Sequence, residues 1–304
     1  MNAFTLMLRR YAARRELLLL VIPTLAFFLI FSYVPMIGLI VAFKEYVMPL
    51  GILHSPWVGF DNFHRLFFSN DFPVALRNTV TISVLRLTFG FAAPLVLALL
   101  LNEVRLTWFR RGIQTLTYLP YFFSWVVLGG IFVMLLSGDG PVNSVIRAAG
   151  HSPVSFLGDP VWFVLVLVAT GVWQGAGYGA VIYLAALSGI DPHLYESASL
   201  DGAGRWAQIR FVTLPSLTPT IVVLLILSLG GILNAGFDQI YNMYNPAVYT
   251  SSDIIDTYVL RRMLTLDYGL ATAAGLFKSV VSLLLVAGAN TVARHMTGGE
   301  HSVW

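Results

Sequence analysis

Residues Tyr195 to Thr220, YESASLDGAGRWAQIRFVTLPSLTPT, lie between two long apolar segments of the chain. The stretch concentrates Glu196, Asp201, Arg205 and Arg210 around a pair of glycines. Charged side chains are costly inside a bilayer, so a short polar insertion between hydrophobic runs indicates a loop that joins two membrane spans. The fold therefore depends on how many segments on either side of this loop can cross a membrane.

The composition places the chain outside the range of soluble domains. Hydrophobic residues make up 57% of the sequence, charged residues only 11%, and the mean hydropathy is +0.78. These values predict an all-α polytopic membrane protein. The formal charge of +3 is not gathered in a basic tract, which argues against a nucleic-acid partner. Cysteine is absent and the six histidines show no metal-ligand spacing, so no metal site is predicted.

About six segments are apolar for the roughly 20 residues that a helix needs to cross the hydrocarbon core. They are residues 17–43, 78–101, 114–136, 161–187, 214–235 and 270–293. Two of them carry a basic residue, Arg86 in the second and Lys278 in the sixth. We interpret both side chains as anchors to neighbouring helices, because neither span contains an acid that would make a proton carrier.

The distribution of basic residues predicts the orientation. With the N-terminus in the cytoplasm, ten basic residues fall on the inner side and five on the outer side, in accord with the positive-inside rule. The inner group is Arg9, Arg10, Arg14, Arg15, Arg105, Arg110, Arg111, Arg205, Arg210 and Arg294, and the outer group is Lys44, Arg65, Arg147, Arg261 and Arg262. The predicted organisation is a cytoplasmic segment 1–16, a single transmembrane domain 17–293 and a cytoplasmic tail 294–304.

The loop itself is expected to be ordered. Asp191 is a suitable N-cap with Pro192 at the first helical position, and Gly202 and Gly204 permit a sharp bend before the segment RWAQIRFVTL forms a second short helix. Its apolar residues Trp206, Ile209, Phe211 and Val212 are expected to pack. Two short helices joined at a glycine form a rigid unit that can bind in a groove of a partner protein. The alternative is a pair of interfacial helices that lie on the lipid headgroups.

The same stretch resembles the EAA loop of permease subunits of binding-protein-dependent ABC importers. That pattern is Glu-Ala-Ala, three residues, Gly, nine residues, Ile, one residue and Leu-Pro. Here Glu196-Ser197-Ala198, Gly202, Val212 and Leu214-Pro215 keep every spacing, with Ser197 and Val212 as the two conservative departures. The predicted coupling loop covers residues 191–215.

The resemblance covers nearly the whole chain and is nearest to the carbohydrate-type permeases of the polysaccharide, LplB-like branch. It is carried by YVPMIGLIVAFKEY, SPWVGFDNF, LRNTVTIS, LALLLNEVR, TLTYLPYFFSWVV, LNAGFDQIYNMYNPAVYTSSDIIDTYVLRRML and YGLATAAGLFKSVV. It implies a type I ABC importer permease fold in the bacterial inner membrane. It also implies three kinds of partner: a second permease subunit, favouring a heterodimer, two cytoplasmic ATPase subunits that bind ATP and Mg²⁺, and an extracytoplasmic solute-binding protein. The chain itself would bind no cofactor.

Under this resemblance the EAA loop supplies a coupling helix that seats in a groove of the ATPase. Glu196 would offer a carboxylate to a basic residue of that partner, and Gly202 would allow close approach of the two backbones. An exposed acid of this kind is also common on any protein surface. The ATPase-coupling candidates are Glu196, Ser197, Ala198, Asp201, Gly202, Ala203 and Arg205.

A sugar path is expected to combine hydrogen-bonding groups with aromatic rings that stack on C–H faces. Two segments in the later part of the chain, TGVWQGAGYGAVIY and GGILNAGFDQIY, carry both kinds of side chain. The substrate-pathway candidates are Trp173, Gln174, Tyr178, Tyr183, Asn234, Asp238, Gln239 and Tyr241. The glycines of these two segments are better explained as helix-packing positions. The predicted outer loops are aromatic, which fits either a recognition surface or an aromatic belt at the lipid headgroups.

The predicted function is import of oligosaccharide or polysaccharide fragments by alternating access, with acidic, alginate- or uronate-like chains as one class of substrate. Arg261 and Arg262 could draw in their carboxylates. The alternative is an ion-driven secondary sugar transporter, which the lack of Asp and Glu in the core spans disfavours. A third alternative is a membrane-embedded enzyme, such as a glycosyltransferase or an intramembrane hydrolase, but the sequence shows no metal-ligand spacing, nucleophile elbow or paired-carboxylate site, so the chain is predicted not to be an enzyme. ATP hydrolysis is assigned to partner subunits, because the only Lys-Ser pair follows Phe277 rather than the glycine that a phosphate-binding loop requires.

Overall fold

The structure is a computed structural model that describes residues 15–296. Within this range the chain forms helices and connecting turns and contains no β-strand, only an isolated bridge between Lys44 and Trp57. The all-α prediction is therefore confirmed. Arg9, Arg10 and Arg14, and most of the predicted terminal segments 1–16 and 294–304, lie outside the described residues.

Thirteen of the α-helices in the described range are numbered here in chain order. They are α1 Arg15–Phe28, α2 Asp61–Phe67, α3 Phe72–Glu103, α4 Thr107–Tyr118, α5 Trp125–Leu136, α6 Pro141–Ala148, α7 Pro160–Ser188, α8 Pro192–Leu200, α9 Arg205–Gln208, α10 Leu214–Gly230, α11 Phe237–Met243, α12 Ile255–Leu264 and α13 Tyr268–Met296. Shorter α-helical pieces occur at Val34–Met36, Gly51–His54 and Tyr249–Ser252. Wider π-type turns occupy Leu29–Tyr33 and Ile209–Thr213, and tighter 3₁₀ turns occupy Ile37–Phe43, Met48–Leu50, Leu119–Phe122, Ile232–Asn234 and Pro246–Val248.

Six helical segments in the described range are long and apolar enough to cross a membrane, as predicted. They are Leu19–Phe43, Phe72–Glu103, Trp125–Ala148, Pro160–Ser188, Arg205–Gly230 and Tyr268–Thr291. Four of the six agree with the predicted segments to within a few residues at most ends. The third and the fifth differ from their predictions.

The third predicted span, 114–136, is not one continuous helix. A tight turn at Leu119–Phe122 follows α4, because Pro120 has no N–H to bond the preceding turn. Ser124 then starts α5 as an N-cap that accepts the N–H of Val127. The apolar segment consequently extends from Trp125 to Ala148 and includes α6.

The fifth span begins earlier than predicted and replaces the expected separate second helix of the loop. The π-type turn Ile209–Thr213 joins α9 to α10, and the N–H of Leu214 bonds the carbonyl of Ile209. Pro215 lacks an N–H, so the carbonyl four residues before it has no helical partner, and a wider turn accommodates this loss. The segment therefore continues as one helical run from Arg205 to Gly230.

The described chain divides into two compact units, and the larger one contains residues 67–261 together with the part of α13 from Phe277 onward. In this unit α3 and α7 pack along their length in two apolar clusters. Ile82 of α3 shares one cluster with Phe163 and Leu167 of α7. Ala98 shares the other with Ala180, Leu184 and Leu187, and with Leu217 of α10. The two helices therefore run parallel, with the loop that follows α7 near the second cluster.

The smaller unit contains residues up to Leu66 together with Arg262–Leu276. Asn62, which is 2% exposed, donates its amide to the carbonyls of Ala42 and Lys44 at 3.0 and 2.9 Å. Arg65 forms an ion pair with Asp267 at 3.2 Å. A side chain at Gly269 would meet Asn62 at 2.8 Å, so only glycine fits beside this amide. These contacts fix the segments within the unit.

Candidate functional site

The loop between α7 and α10 is an ordered protrusion. Asp191 accepts the N–H of His193 at 3.0 Å and so caps α8, whose first residue is Pro192, as predicted. At the other end the N–H of Ala203 bonds the carbonyl of Ala198 at 2.9 Å. Gly202 lies there at φ +80°, in the left-handed region that favours glycine.

Side-chain hydrogen bonds join the two halves of the protrusion. Gln208 donates to the hydroxyl of Ser199 at 2.8 Å and to the carbonyl of Ala203 at 3.2 Å. The hydroxyls of Tyr195 and Thr213 are hydrogen-bonded at 3.1 Å, and Thr213 is 3% exposed. Because these bonds connect both sides of the Gly202 bend, the loop is able to move as a body.

Large apolar side chains on the protrusion remain uncovered. Leu200 is 89% exposed, Trp206 is 80% exposed and Phe211 is 70% exposed. Trp206 and Phe211, which were expected to pack, are therefore not covered by the chain itself, whereas Ile209 and Val212 are half-buried. A surface of this kind on an ordered loop indicates a contact with another molecule.

The structure places the seven ATPase-coupling candidates on this one protrusion. Glu196 is exposed and contacts the ring nitrogen Nδ1 of His193 at 3.1 Å, and Arg205 forms an ion pair with Glu103 at 3.6 Å. The remaining candidates are exposed or half-buried in the same segment: Ser197, Ala198, Asp201, Gly202 and Ala203. Exposed ion pairs of this type contribute little to stability. The three charged members, Glu196, Asp201 and Arg205, thus stay accessible to a partner.

A cavity of about 530 Å³ lies in the larger unit between α3, α7 and α10. Its volume is in the range of ligand-binding pockets. Polar and aromatic side chains from the three helices line it beside glycines that open the space. The polar and aromatic lining residues are Ser83, Arg86, Phe91, Gln174, Tyr183 and Ser228.

Arg86 enters this cavity from α3 and is held by Gln239 of α11, whose side-chain carbonyl accepts a short hydrogen bond from the guanidinium. Gln239 is completely buried, and its amide donates to the carbonyl of Leu167 at 2.9 Å and to the hydroxyl of Thr170 at 2.7 Å. Gly236, at φ +80°, lies against the guanidinium so closely that a Cβ there would collide with it.

The eight substrate-pathway candidates do not form one surface. Gln174 and Tyr183 line the cavity, and Gln239 supports it through Arg86. The other five lie in separate contacts. Three are aromatic residues in ring contacts: Trp173 packs edge-on against Phe132, Tyr178 stacks on Tyr121 with ring centroids 3.9 Å apart, and Tyr241 stacks on Phe237. Asn234 accepts a hydrogen bond from Lys278. Asp238 is exposed in the first turn of α11.

Arg86 and Lys278 both connect helices, as their positions within spans indicated. Lys278 of α13 contacts both carboxylate oxygens of Asp256, at 2.7 and 2.6 Å, and donates to Asn234 at 2.8 Å. This acid comes from α12, 22 residues away along the chain, which explains why the span of Lys278 contains no acidic partner of its own. The role of Arg86 as a cavity-lining residue was missed, although its place in a span was the available signal.

A second polar cluster lies around Asp253, in the segment between α11 and α12. Both carboxylate oxygens of Asp253 bind Arg261, at 2.8 and 2.7 Å, and Asn78 of α3 donates to the Asp253 carbonyl at 3.1 Å. Burial lowers the pKa of Arg261, but the hydrogen bond and charge of Asp253 more than offset this and raise it overall. The suggested role of Arg261 in drawing in substrate therefore conflicts with its engagement by Asp253.

Tyr244 belongs to the same cluster. Burial, the neighbouring Tyr249 and the charge of Asp253 raise the pKa of Tyr244 to about 12, so its phenol stays neutral at physiological pH. Arg261 lies over the ring of Tyr249 at 5.1 Å.

Across residues 15–296, no group of three or more His, Cys, Asp or Glu side chains could hold a metal ion.

Residues 90–298 match the family described as "Binding-protein-dependent transport system inner membrane component". The chain belongs to this family. It is 46% identical to Protein LplB of Bacillus subtilis over 91% of this chain and 88% of that protein. It is 41% identical to the polygalacturonan/rhamnogalacturonan transport system permease protein YteP of the same organism, over 96% and 91% of the two chains.

The fold is also that of a solved transporter. One structure shows a bacterial alginate ABC transporter in complex with an alginate pentasaccharide-bound periplasmic protein. A chain of that structure is 42% identical to this one, with a TM-score of 0.90 over 97% of this chain and 99% of its own length. The type I permease fold that the family resemblance implied is thus confirmed.

These relationships decide between the function classes that the sequence left open. The chain is a multi-pass membrane permease subunit of an ABC importer, a transport component rather than an enzyme. The ion-driven secondary transporter is excluded as its class. ATP hydrolysis in such systems is carried out by separate subunits.

Proposed function

We propose that this permease imports acidic oligosaccharides, fragments of uronate-containing polysaccharides, delivered by an extracytoplasmic solute-binding protein. Support comes from the relatives, since YteP is described as a polygalacturonan/rhamnogalacturonan permease and the structural neighbour is an alginate transporter. The cavity fits such a substrate because it combines a cationic side chain, Arg86, with the rings of Phe91 and Tyr183.

The observation that carries the mechanism is the exposed protrusion around Gly202. Its apolar residues Leu200 and Trp206 lack a covering surface in this chain, while its backbone is fixed by internal hydrogen bonds. We propose that a cytoplasmic ATPase subunit covers it, with Glu196, Ser197, Ala198, Asp201, Gly202, Ala203 and Arg205 in or beside the contact. A rigid helix in a groove transmits the movement of the ATPase to α7 and α10.

The proposed assembly contains a second, homologous permease subunit as a heterodimer partner and two ATPase subunits that bind ATP and Mg²⁺. ATP binding closes the ATPases and favours the outward-facing state, because ATP has a higher affinity for the closed form. Substrate enters from the binding protein, and hydrolysis restores the inward-facing state. Residues 17–293 act as one permease domain in this cycle.

The proposed location is the bacterial inner membrane with both termini in the cytoplasm. The positive-inside count supports this orientation. Arg77, in the second turn of α3, donates to the carbonyl of Thr250 in the outer segment at 2.9 Å. It adds one basic residue to the outer group and leaves a bias of ten to six.

A co-purification experiment tests the coupling role with two matched glycines. Gly202 in the protrusion and Gly150 after α6 have φ +80° and +82°, and the space around both is open. Gly202→Asp and Gly150→Asp therefore impose similar backbone strain, in different parts of the chain. We expect wild type and Gly150→Asp to co-purify the ATPase, and Gly202→Asp to retain at least about tenfold less, a loss of about 1.4 kcal/mol in binding.

The outcomes separate coupling from general damage. Equal loss of the ATPase in both variants would show that strain alone weakens the complex. Retention of the ATPase by Gly202→Asp at the wild-type level, with ATP-driven uptake also unchanged, would refute the coupling role. The substrate is tested separately, by uptake of alginate and galacturonate oligosaccharides into proteoliposomes that contain the complete transporter and its loaded binding protein.

A further inference from the structure

Arg86 is a half-buried cation within a membrane span that faces the cavity between α3, α7 and α10. In the part of the chain that the structure describes, its guanidinium bonds the neutral amide of Gln239 and no carboxylate lies within ion-pair distance. Lys278, also within a span, is neutralised by Asp256 at 2.6 Å. An in-span cation usually has such a partner, so Arg86 is set apart by its lack of an anion.

The position of this guanidinium is fixed by its surroundings. Gln239 is immobilised by its own two hydrogen bonds to α7, and Gly171 and Gly236 leave room for Arg86 where any side chain would crowd it. Guanidinium presents five N–H donors in a rigid fork, and Gln239 uses only part of this set. A cation held in this way is preorganised to bind an anion that enters the cavity.

We infer that Arg86 is the residue of this permease that binds the carboxylate of a uronate unit while the substrate passes through the membrane. The inference rests on the proposed function, because it assigns a site to the acidic substrate class. Arginine binds carboxylates in a bidentate manner, and the ring of Phe91 in the same wall offers a face for the sugar's C–H groups. Gln239 acts as a positioning residue that orients the guanidinium.

The test is ATP-driven uptake of an alginate pentasaccharide into proteoliposomes that contain the full transporter, with the binding protein loaded to saturation. We expect Arg86→Gln to lower uptake about tenfold or more, while Arg86→Lys, which keeps the charge but not the fork, retains an intermediate rate. ATPase co-purification and Tm are measured on the same preparations. Arg77→Gln, which removes an arginine of α3 that lies outside the cavity lining, is the matched control and should stay within about twofold of wild type.

Gln174→Glu tests the same inference without altering Arg86. Gln174 lines the cavity from α7, so a carboxylate there should repel the substrate or occupy the guanidinium, and uptake should fall about tenfold. This variant decides the question if Arg86→Gln fails to fold.

The inference would be overturned if Arg86→Gln, in an intact complex, took up the pentasaccharide at the wild-type rate. Unchanged uptake by Gln174→Glu would overturn it as well. If the wild type takes up no uronate oligosaccharide at all, the proposed substrate class fails, and the role of Arg86 fails with it. Uptake by wild type with loss in both cavity variants supports the two proposals together.

Discussion

The protrusion Asp191–Thr213, which follows α7, and the segment Gly236–Arg261, which follows α10, are stabilised in opposite ways. The polar groups of the protrusion bond each other over short distances along the chain, such as Gln208 with Ser199, and its apolar residues Leu200 and Trp206 are exposed. It keeps its shape without covering its apolar surface, which suits a segment that docks on a partner.

The segment Gly236–Arg261 is instead bonded to and packed against the long helices. Gln239 donates to the carbonyl of Leu167, 72 residues away, and Asn78 donates to that of Asp253, 175 residues away. Ile240, Ile254 and Ile255 are completely buried. Substitutions in this segment should therefore change the stability of the permease, whereas substitutions in the protrusion should change its association with a partner.

The largest stability effect is expected at Asp253. Asp253→Ala removes the buried carboxylate that accepts two hydrogen bonds from Arg261 and one from the hydroxyl of Thr257, which costs about 3 kcal/mol. A marked decrease in Tm in nanodiscs measures this loss.

The matched aspartate of the protrusion is Asp201, which is exposed at the end of α8. Asp201→Ala should leave the Tm unchanged while weakening ATPase co-purification. A lower Tm for Asp201→Ala than for Asp253→Ala would contradict the contrast between the two segments.

A smaller loss is expected at Lys278. Lys278→Met leaves Asp256 without its cation at a site where the two side chains are 15% and 25% exposed. We expect a loss of about 2 kcal/mol, between the values for surface pairs and for fully buried pairs.

The double variant Lys278→Met/Asp256→Leu should regain most of this stability, because no unpaired charge remains. Failure of the double variant to recover in a thermal unfolding series would show that the lysine acts through packing rather than through its charge.

The smallest effect is expected for the ion pair between Arg205 and Glu103, whose side chains are 62% and 39% exposed. Glu103→Gln should change the free energy of unfolding by less than about 1 kcal/mol. A double-mutant cycle with Arg205→Gln measures the coupling, and a value above that limit would mean that this pair holds the protrusion to α3.

The sequence predicted the protrusion well because its structure depends on local signals. Asp191 and Pro192 start α8, Gly202 ends it, and the EAA spacing lies within about twenty residues. The number of spans was equally predictable, since hydropathy alone decides it. The separate second helix was predicted wrongly because hydrophobic periodicity does not reveal the π-type turn before Pro215, which joins α9 to α10.

The cavity and the cluster around Asp253 were predictable only in part. Gln174 and Tyr183 were found from residue type, but Trp173 and Tyr178 share the same stretch and pack against Phe132 and Tyr121 instead. Which face of α7 borders the cavity is decided by its packing with α3. The pairs Asp253–Arg261 and Arg86–Gln239 likewise depend on tertiary contacts, which one sequence does not specify.

The most direct test of the coupling account uses the absence of cysteine from this chain. Ser197→Cys places a single thiol on the protrusion, and Ser152→Cys places one at an exposed site between α6 and α7 as the matched control. After treatment of the assembled transporter with a short bifunctional thiol-to-amine reagent, the account predicts that Ser197→Cys is cross-linked to the ATPase and Ser152→Cys is not. Cross-linking of the ATPase through Ser152→Cys, or its absence at Ser197→Cys in a complex that still hydrolyses ATP, would contradict it.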